Sequence, residues 1–129
     1  MIVLDENFTE SQRQLLRGWR IWVRQIGLEI GRAGMKDEEI LALLLSLPRP
    51  TLFTMDQGFY QRDDCHPRYS IVCLDVGDTE AAMFVRRVLR HAALSTTAKR
   101  MGRIVRVTQT RLVVRRFQSH DETLLRWGN

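Results

Sequence analysis

The alternation of helix and strand is plainest in the stretch DEEILALLLSLPRPTLFTMD, residues 37–56. It opens with three acids, which the positive end of a helix dipole favours, and continues with apolar residues up to Pro48, before which a helix usually ends. After this break, residues 51–54 form a short apolar run of the kind found in buried strands, and the run ends at Asp56. The stretch therefore predicts a helix that crosses over to a buried strand.

The same alternation extends to both sides of this stretch. Towards the amino terminus we predict a strand at 2–4, a helix at 11–17 that ends at Gly18, and a strand at 19–23. Towards the carboxyl terminus we predict a polar loop at 57–68, a strand at 70–74, a helix from 78 to about 94, a strand pair within 103–117 and a polar tail. Such alternation is typical of right-handed crossovers. We expect a three-layer α/β/α fold with a mostly parallel central sheet and a C-terminal strand pair.

Length and composition favour a single globular domain. The chain has 129 residues, of which 44% are hydrophobic and 27% charged, so we expect one domain spanning residues 1–129. The longest apolar run, residues 40–45, is far below the ~20 residues that cross a bilayer. The first residues lack the basic and small-residue features of a signal peptide. We therefore expect a cytoplasmic protein without a membrane partner.

The charge balance points to a polyanionic partner. The net charge is +5, and 18 of the 20 basic residues are Arg. The planar guanidinium fork suits phosphate groups. Codon usage in GC-rich genomes also enriches Arg, so the composition by itself leaves both explanations open.

Four acids are predicted to meet at one edge of the sheet. Asp5, Asp56 and Asp75 each follow a predicted strand, and Asp37 opens the helix after the second strand. In a parallel sheet these positions share the carboxyl edge. Clustered carboxylates repel one another unless a divalent cation lies between them, and hard oxygen ligands suit Mg²⁺ or Mn²⁺. This pattern predicts a metal-assisted hydrolysis of phosphodiesters. Removing charge by Asp5→Asn should then be neutral or stabilising for the fold.

Most of these acids also have a purely structural interpretation. Asp37 could satisfy the dipole of its helix, Asp56 could begin a turn, and Asp75 could be a loop residue. Asp5 has the fewest such explanations, because an acid directly after a buried strand neither caps an evident helix nor covers a sheet edge.

Three blocks in the first 60 residues resemble the PIN-like ribonucleases, most closely the short branch related to VapC-type toxins. The blocks are LDEN at 4–7, GMKDEEIL at 34–41 and LFTMDQGF at 52–59. The resemblance implies a parallel sheet flanked by helices and an RNA-cleaving site that uses Mg²⁺ or Mn²⁺. It identifies Asp5, Asp37 and Asp56 as the catalytic and metal-binding acids. It also implies a toxin whose partners are RNA and a small antitoxin protein.

One position departs from the pattern of this branch. Members often carry a further acid two residues after the Thr-x-Asp acid, and that place is Gly58 here. Asp75 and Asp63 are the candidate substitutes for the fourth carboxylate. The departure leaves a second interpretation open, a catalytically weakened or inactive PIN-like module that binds nucleic acid or a protein partner.

Arginines are expected to hold the RNA backbone. The candidates near the acidic edge are Arg13, Arg62 and Arg68, and those on the C-terminal strand pair are Arg106 and Arg115. In the strand pair, basic and apolar residues alternate, so one face should pack on the domain and the other should be basic. The alternative is that these arginines only protect an exposed sheet edge. The oligomeric state is left open between a monomer and a homodimer.

Overall fold

A computed structural model describes residues 1–128 and contains seven strands and five α-helices in that range. The strands are β1 (Ile2–Leu4), β2 (Val23–Gln25), β3 (Thr51–Thr54), β4 (Ser70–Leu74), β5 (Arg103–Val107), β6 (Arg111–Arg116) and β7 (Glu122–Arg126). The helices are α1 (Glu10–Gly18), α2 (Asp37–Ser46), α3 (Gly58–Gln61), α4 (Ala81–Arg90) and α5 (Thr97–Arg100), and a 3₁₀ turn (Asp78–Glu80) leads directly into α4.

All seven strands belong to one sheet with the order β2-β1-β3-β4-β5-β6-β7. The first five strands in this order are parallel to one another, whereas β6 and β7 are antiparallel additions at one side. The predicted α/β class with a mostly parallel sheet is therefore confirmed.

Helices cover both faces of the sheet because successive side chains of a buried strand point to opposite faces. Leu4 and Phe53 pack in one apolar cluster that includes α4 residues such as Phe84. Val3 and Leu52, their immediate neighbours in the chain, pack in a second cluster with α2 and α3. The central strands β3 and β4 are buried along their whole length, so the core lies on both sides of the sheet.

The amino-terminal prediction was wrong about the second strand. Helix α1 continues through Gly18, the chain turns at Arg20 with a positive φ of 61°, and β2 begins only at Val23. The register explains the difference, because Ile2, the first residue of β1, pairs with Val23 and leaves no partner for residues 19–22. Trp22 in this segment is 75% exposed.

Two further segments were also predicted wrongly. The loop predicted at 57–68 contains α3, whose Phe59 and Tyr60 are buried. The polar tail predicted after the strand pair contains a further strand, β7, which pairs with β6. Strand β6 is therefore not an edge strand, and the edge-protection interpretation does not apply to it. The helix predicted from 78 to about 94 is the 3₁₀ turn plus α4, which ends at Arg90.

Within residues 1–128, no helix combines the length and the hydropathy that spanning a bilayer requires.

Candidate active site at the carboxyl edge of the sheet

The strand order has a switch point between β1 and β3. The chain leaves β1 towards β2 on one side, and the later strands β3 to β5 are added on the other side. In open α/β sheets, ligands bind at such a switch point, outside the carboxyl ends of the strands. Asp5 follows β1 and Asp56 closely follows β3, so two of the predicted acids lie at this switch point.

The carboxylate of Asp5 is buried and receives three hydrogen bonds. Only 6% of the surface of Asp5 is exposed to solvent. The Asn7 backbone N–H donates to Oδ1 (2.9 Å), while the Thr54 hydroxyl (2.6 Å) and the Met55 backbone N–H (2.9 Å) donate to Oδ2. Because no Lys, Arg or His forms an ion pair with Asp5 within residues 1–128, these three donors are what compensates its desolvation.

Thr54 joins Asp5 to Asp56. While its hydroxyl donates to Asp5, the same oxygen accepts the Asp56 backbone N–H at 3.0 Å. Asp56 is exposed, and its Oδ1 accepts the backbone N–H of Gly58 at 2.8 Å, which closes a short turn. The turn interpretation of Asp56 is therefore correct in geometry.

The loop behind Asp5 is held by Gln25, at the end of β2. Its side-chain N–H groups donate to the carbonyls of Asp5 (3.1 Å) and Phe8 (3.0 Å). Gln25 is 3% exposed, so both bonds are shielded from water. Sequence reasoning missed Gln25, because contacts across 17 and 20 residues leave no local signal.

Asp37 opens α2 and forms an ion pair with Arg62. The Arg62 guanidinium donates to Asp37 Oδ2 (2.7 Å) and, through Nε, to Asp64 Oδ2 (2.9 Å). The hydrogen bond to Asp37 is the largest cause of a raised pKa for Arg62. Of the predicted RNA-binding arginines, Arg62 is thus the one that lies exposed among the acids of this edge.

Arg62 also fills the space beside Gly58. A Cβ added to Gly58 would lie 2.9 Å from Arg62 Nη1 and 2.9 Å from Asp56 Oδ1. A side chain at position 58 would therefore displace the guanidinium or the carboxylate. Where the PIN-like pattern often has a further acid, this chain has a glycine and the guanidinium beside it.

The other candidates for a fourth carboxylate are engaged elsewhere. Asp75 follows β4 and accepts a hydrogen bond from Arg106 at 2.8 Å. Asp63 adopts a positive φ of 55° and lies 3.8 Å from Arg115 Nη1. Neither shares a hydrogen bond with Asp5, Asp37 or Asp56.

The remaining predicted arginines are poorly placed to hold RNA at this edge. Arg13 is buried and paired with Glu29. Arg68 was predicted to lie near the acids, and this placement was wrong, because it precedes β4 and donates to the Leu45 carbonyl at the opposite, amino edge (2.9 Å).

The two arginines of the strand pair are held by acids rather than left as a basic face. Arg106 pairs with Asp75, and Arg115 donates to Glu122 Oε1 (2.9 Å) and to the Tyr60 carbonyl (3.0 Å). The hydrogen bond from Arg115 lowers the pKa of Glu122, and burial raises the pKa of Tyr60 to about 12. The alternation of basic and apolar residues in the sequence did not reveal these partners.

The acids at this edge have the oxygen chemistry that Mg²⁺ or Mn²⁺ prefers, and Asp5, Asp37 and Asp56 come from three separate elements. As the side chains stand, however, no three His, Cys, Asp or Glu residues among 1–128 form a group that could hold a metal ion. Arg62 already supplies a positive charge to Asp37, so a cation bound by Asp37 would take the place of the guanidinium. The metal therefore stays a prediction.

Comparison of the chain with protein-family models, with curated proteins and with solved structures gave no significant match.

Proposed function

We propose that this chain is a metal-dependent ribonuclease with a PIN-like fold. The observation that carries the proposal is the Asp5–Thr54–Asp56 linkage at the β1/β3 switch point, with Asp37 brought to the same edge by α2. The buried Asp5 carboxylate has three hydrogen-bond donors but no ion pair among residues 1–128, so its negative charge is not neutralised. A divalent cation at this edge would neutralise it.

On this proposal, Asp5, Asp37 and Asp56 would hold Mg²⁺ or Mn²⁺. The bound cation would supply an activated water and offset the charge of the phosphodiester. The donors from Thr54 and Met55 keep the Asp5 carboxylate in one orientation before any ligand arrives. Such preorganisation removes the cost of ordering the side chain during the reaction.

Arg62 has the second role in the proposed site. Its guanidinium is exposed and paired with Asp37 through one edge. If Asp37 held a cation instead, the Arg62 Nη group that now pairs with it would be available to a phosphate oxygen of RNA, while Nε would stay on Asp64. Arg62 would thus neutralise the acids in the free protein and hold the substrate in the complex.

The proposed biological setting is that of a toxin. The protein would act in the cytoplasm on RNA and would be inhibited by a small antitoxin protein. This part rests on the resemblance of the three sequence blocks to VapC-related PIN-like proteins. Co-purification with the product of a small adjacent gene would test it directly.

A second candidate is an inactive PIN-like module that binds nucleic acid or a protein partner. Two observations favour it: Gly58 replaces the further acid, and the Arg62 guanidinium occupies the adjoining space. In such a module the Asp37–Arg62 pair would be a permanent structural contact, and no divalent cation would bind at the edge.

Cleavage of an end-labelled single-stranded RNA distinguishes the two candidates. We expect wild-type cleavage with Mg²⁺ or Mn²⁺, none with EDTA, and loss of cleavage in Asp5→Asn and Asp56→Asn. The matched control is Asp121→Asn, an exposed acid outside the edge, which should cleave like the wild type. Cleavage that persists in EDTA, or in both edge variants, would contradict the proposed ribonuclease site.

A further inference from the structure

A groove rich in cations lies where the last turn of α4 meets the end of β7, which is the outermost strand on the opposite side of the sheet from β1 and β3. It is lined by Arg87, Arg90, His91, Ala92, Arg126, Trp127 and Gly128, with no acid among them. None of its three arginines forms an ion pair with a carboxylate of residues 1–128. Among the residues that the structure describes, the positive charge of these arginines thus has no carboxylate partner.

The groove differs in this respect from four of the five arginines that the sequence singled out. Arg13, Arg62, Arg106 and Arg115 each lie beside at least one Asp or Glu, so most of their charge is offset locally. The net charge of +5 must therefore reside on other cations. The α4–β7 groove gathers three of them into one concave surface.

Two arginines of this helix stack on tryptophan rings, and one of them, Arg87, lines the groove. The guanidinium carbon of Arg87 lies 4.2 Å from the Trp127 ring centroid, and that of Arg86 lies 3.8 Å from the Trp19 ring centroid. The Trp127 indole N–H donates to the Thr108 carbonyl (3.0 Å), which fixes the ring. Stacking uses the face of a guanidinium and leaves its N–H edges available for a phosphate. Less conformational entropy is then lost on binding.

We propose that the α4–β7 groove binds the phosphate backbone of RNA; that the nucleic acid is RNA rests on the proposed function. Guanidinium edges on a fixed helix suit a regularly charged polymer, since each fork can take one phosphate. An acidic protein partner fits less well, because protein interfaces usually bury an apolar centre. The groove offers only Ala92 and part of Trp127 for such a centre. The surface would anchor RNA at a distance from the reacting phosphate.

The test is binding of a fluorescent single-stranded oligoribonucleotide in EDTA, measured as a function of salt. The test variant is Arg90→Gln/Arg126→Gln, and the matched control is Arg24→Gln/Arg116→Gln, which removes the same charge from exposed arginines of β2 and β6. At ~0.7 per phosphate contact on a single strand, the groove variant should lose about 1.4 from the slope of log K against log salt. A fourfold rise in salt would then weaken the wild type about sevenfold more than the variant.

If the two double variants lost the same amount of slope, the groove would act only through net charge, and the proposal would be overturned. An unchanged slope in the groove variant would also overturn it. Binding of poly-glutamate but not RNA at the groove would assign the surface to an acidic protein partner and would also overturn it. Because EDTA prevents metal-dependent cleavage, this binding assay does not depend on whether the protein is a ribonuclease. The cleavage assay with Mg²⁺ or Mn²⁺ tests that proposal separately. Groove-dependent RNA binding without any cleavage would support this inference and contradict only the proposed activity.

Discussion

Replacement of Asp5 by Asn is expected to destabilise the protein, contrary to what the sequence alone suggested. An Asn side chain can keep one oxygen facing the Thr54 hydroxyl and the Met55 N–H. Its NH₂ group must then face the Asn7 N–H, so one charge-assisted hydrogen bond is lost and two donors confront each other. Hydrogen bonds to charged groups contribute ~1.5–3 kcal/mol each.

Relief of carboxylate repulsion is the opposing effect, and it is the smaller one. Arg62 neutralises Asp37, and Asp56 is exposed to solvent. Because water reaches the Asp56 carboxylate, its charge acts on the buried Asp5 carboxylate through a high effective dielectric, which weakens the repulsion between them. The hydrogen-bond loss therefore dominates, and we expect a net decrease of about 1–2 kcal/mol in the free energy of unfolding.

Urea denaturation followed by circular dichroism measures this decrease. With an m-value of about 2 kcal/mol/M, the midpoint should fall by roughly 0.5–1 M. Asp56→Asn is the matched control, since an Asn oxygen can still accept the Gly58 N–H, and its midpoint should stay close to that of the wild type. An Asp5→Asn protein as stable as the wild type, or more stable, would refute the reasoning that hydrogen bonds outweigh repulsion at Asp5.

Three further predictions concern neighbouring parts of the molecule. Gln25→Ala should lower the free energy of unfolding by about 2–4 kcal/mol, because it leaves two buried carbonyls without donors; a loss below that of an exposed Gln→Ala control would contradict the contact. Burial raises the pKa of Tyr60 and of Tyr69 to about 12, so tyrosinate absorbance should rise near pH 12. Since these folded pKa values exceed the ordinary value of 10.0, the associated stability is present below pH 10 and is lost as the pH rises towards 12; absorbance that rises near pH 10 in the folded protein would disprove the burial. Arg62→Gln should tighten Mn²⁺ binding in calorimetry by removing the cation paired with Asp37, and unchanged or weaker binding would show that the guanidinium does not compete.

The parts of the fold that could be predicted are those whose residues are buried on both sides. The bounds of β3 and β4 match the predicted runs, and α2 starts at the predicted Asp37, because continuous burial and helix-dipole acids leave a local mark in sequence. The missed strand β7 depends on pairing with β6, and residues 19–22 have strand propensity but no partner in the sheet register. Such non-local pairing overrides local propensity.

The acids of the candidate site could be predicted from the sequence, but the residues that bond to them could not. Parallel strands place Asp5 and Asp56 at one edge whatever the details of packing, so strand ends alone suggested them. The Arg62–Asp37 pair joins residues 25 apart, and the Thr54–Asp5 bond joins residues 49 apart. No spacing rule in the sequence encodes those contacts, because the first depends on how α2 and α3 pack beside the edge and the second on the pairing of β1 with β3.

Titration of the wild-type protein with Mn²⁺, followed by electron paramagnetic resonance, is the most direct test of a metal site at the carboxyl edge. We expect a saturable site that is lost in Asp56→Asn, which retains the fold, and kept in Asp121→Asn, an exposed acid outside the edge. Absence of saturable binding in the wild type, or a site of equal affinity in Asp56→Asn, would contradict the account.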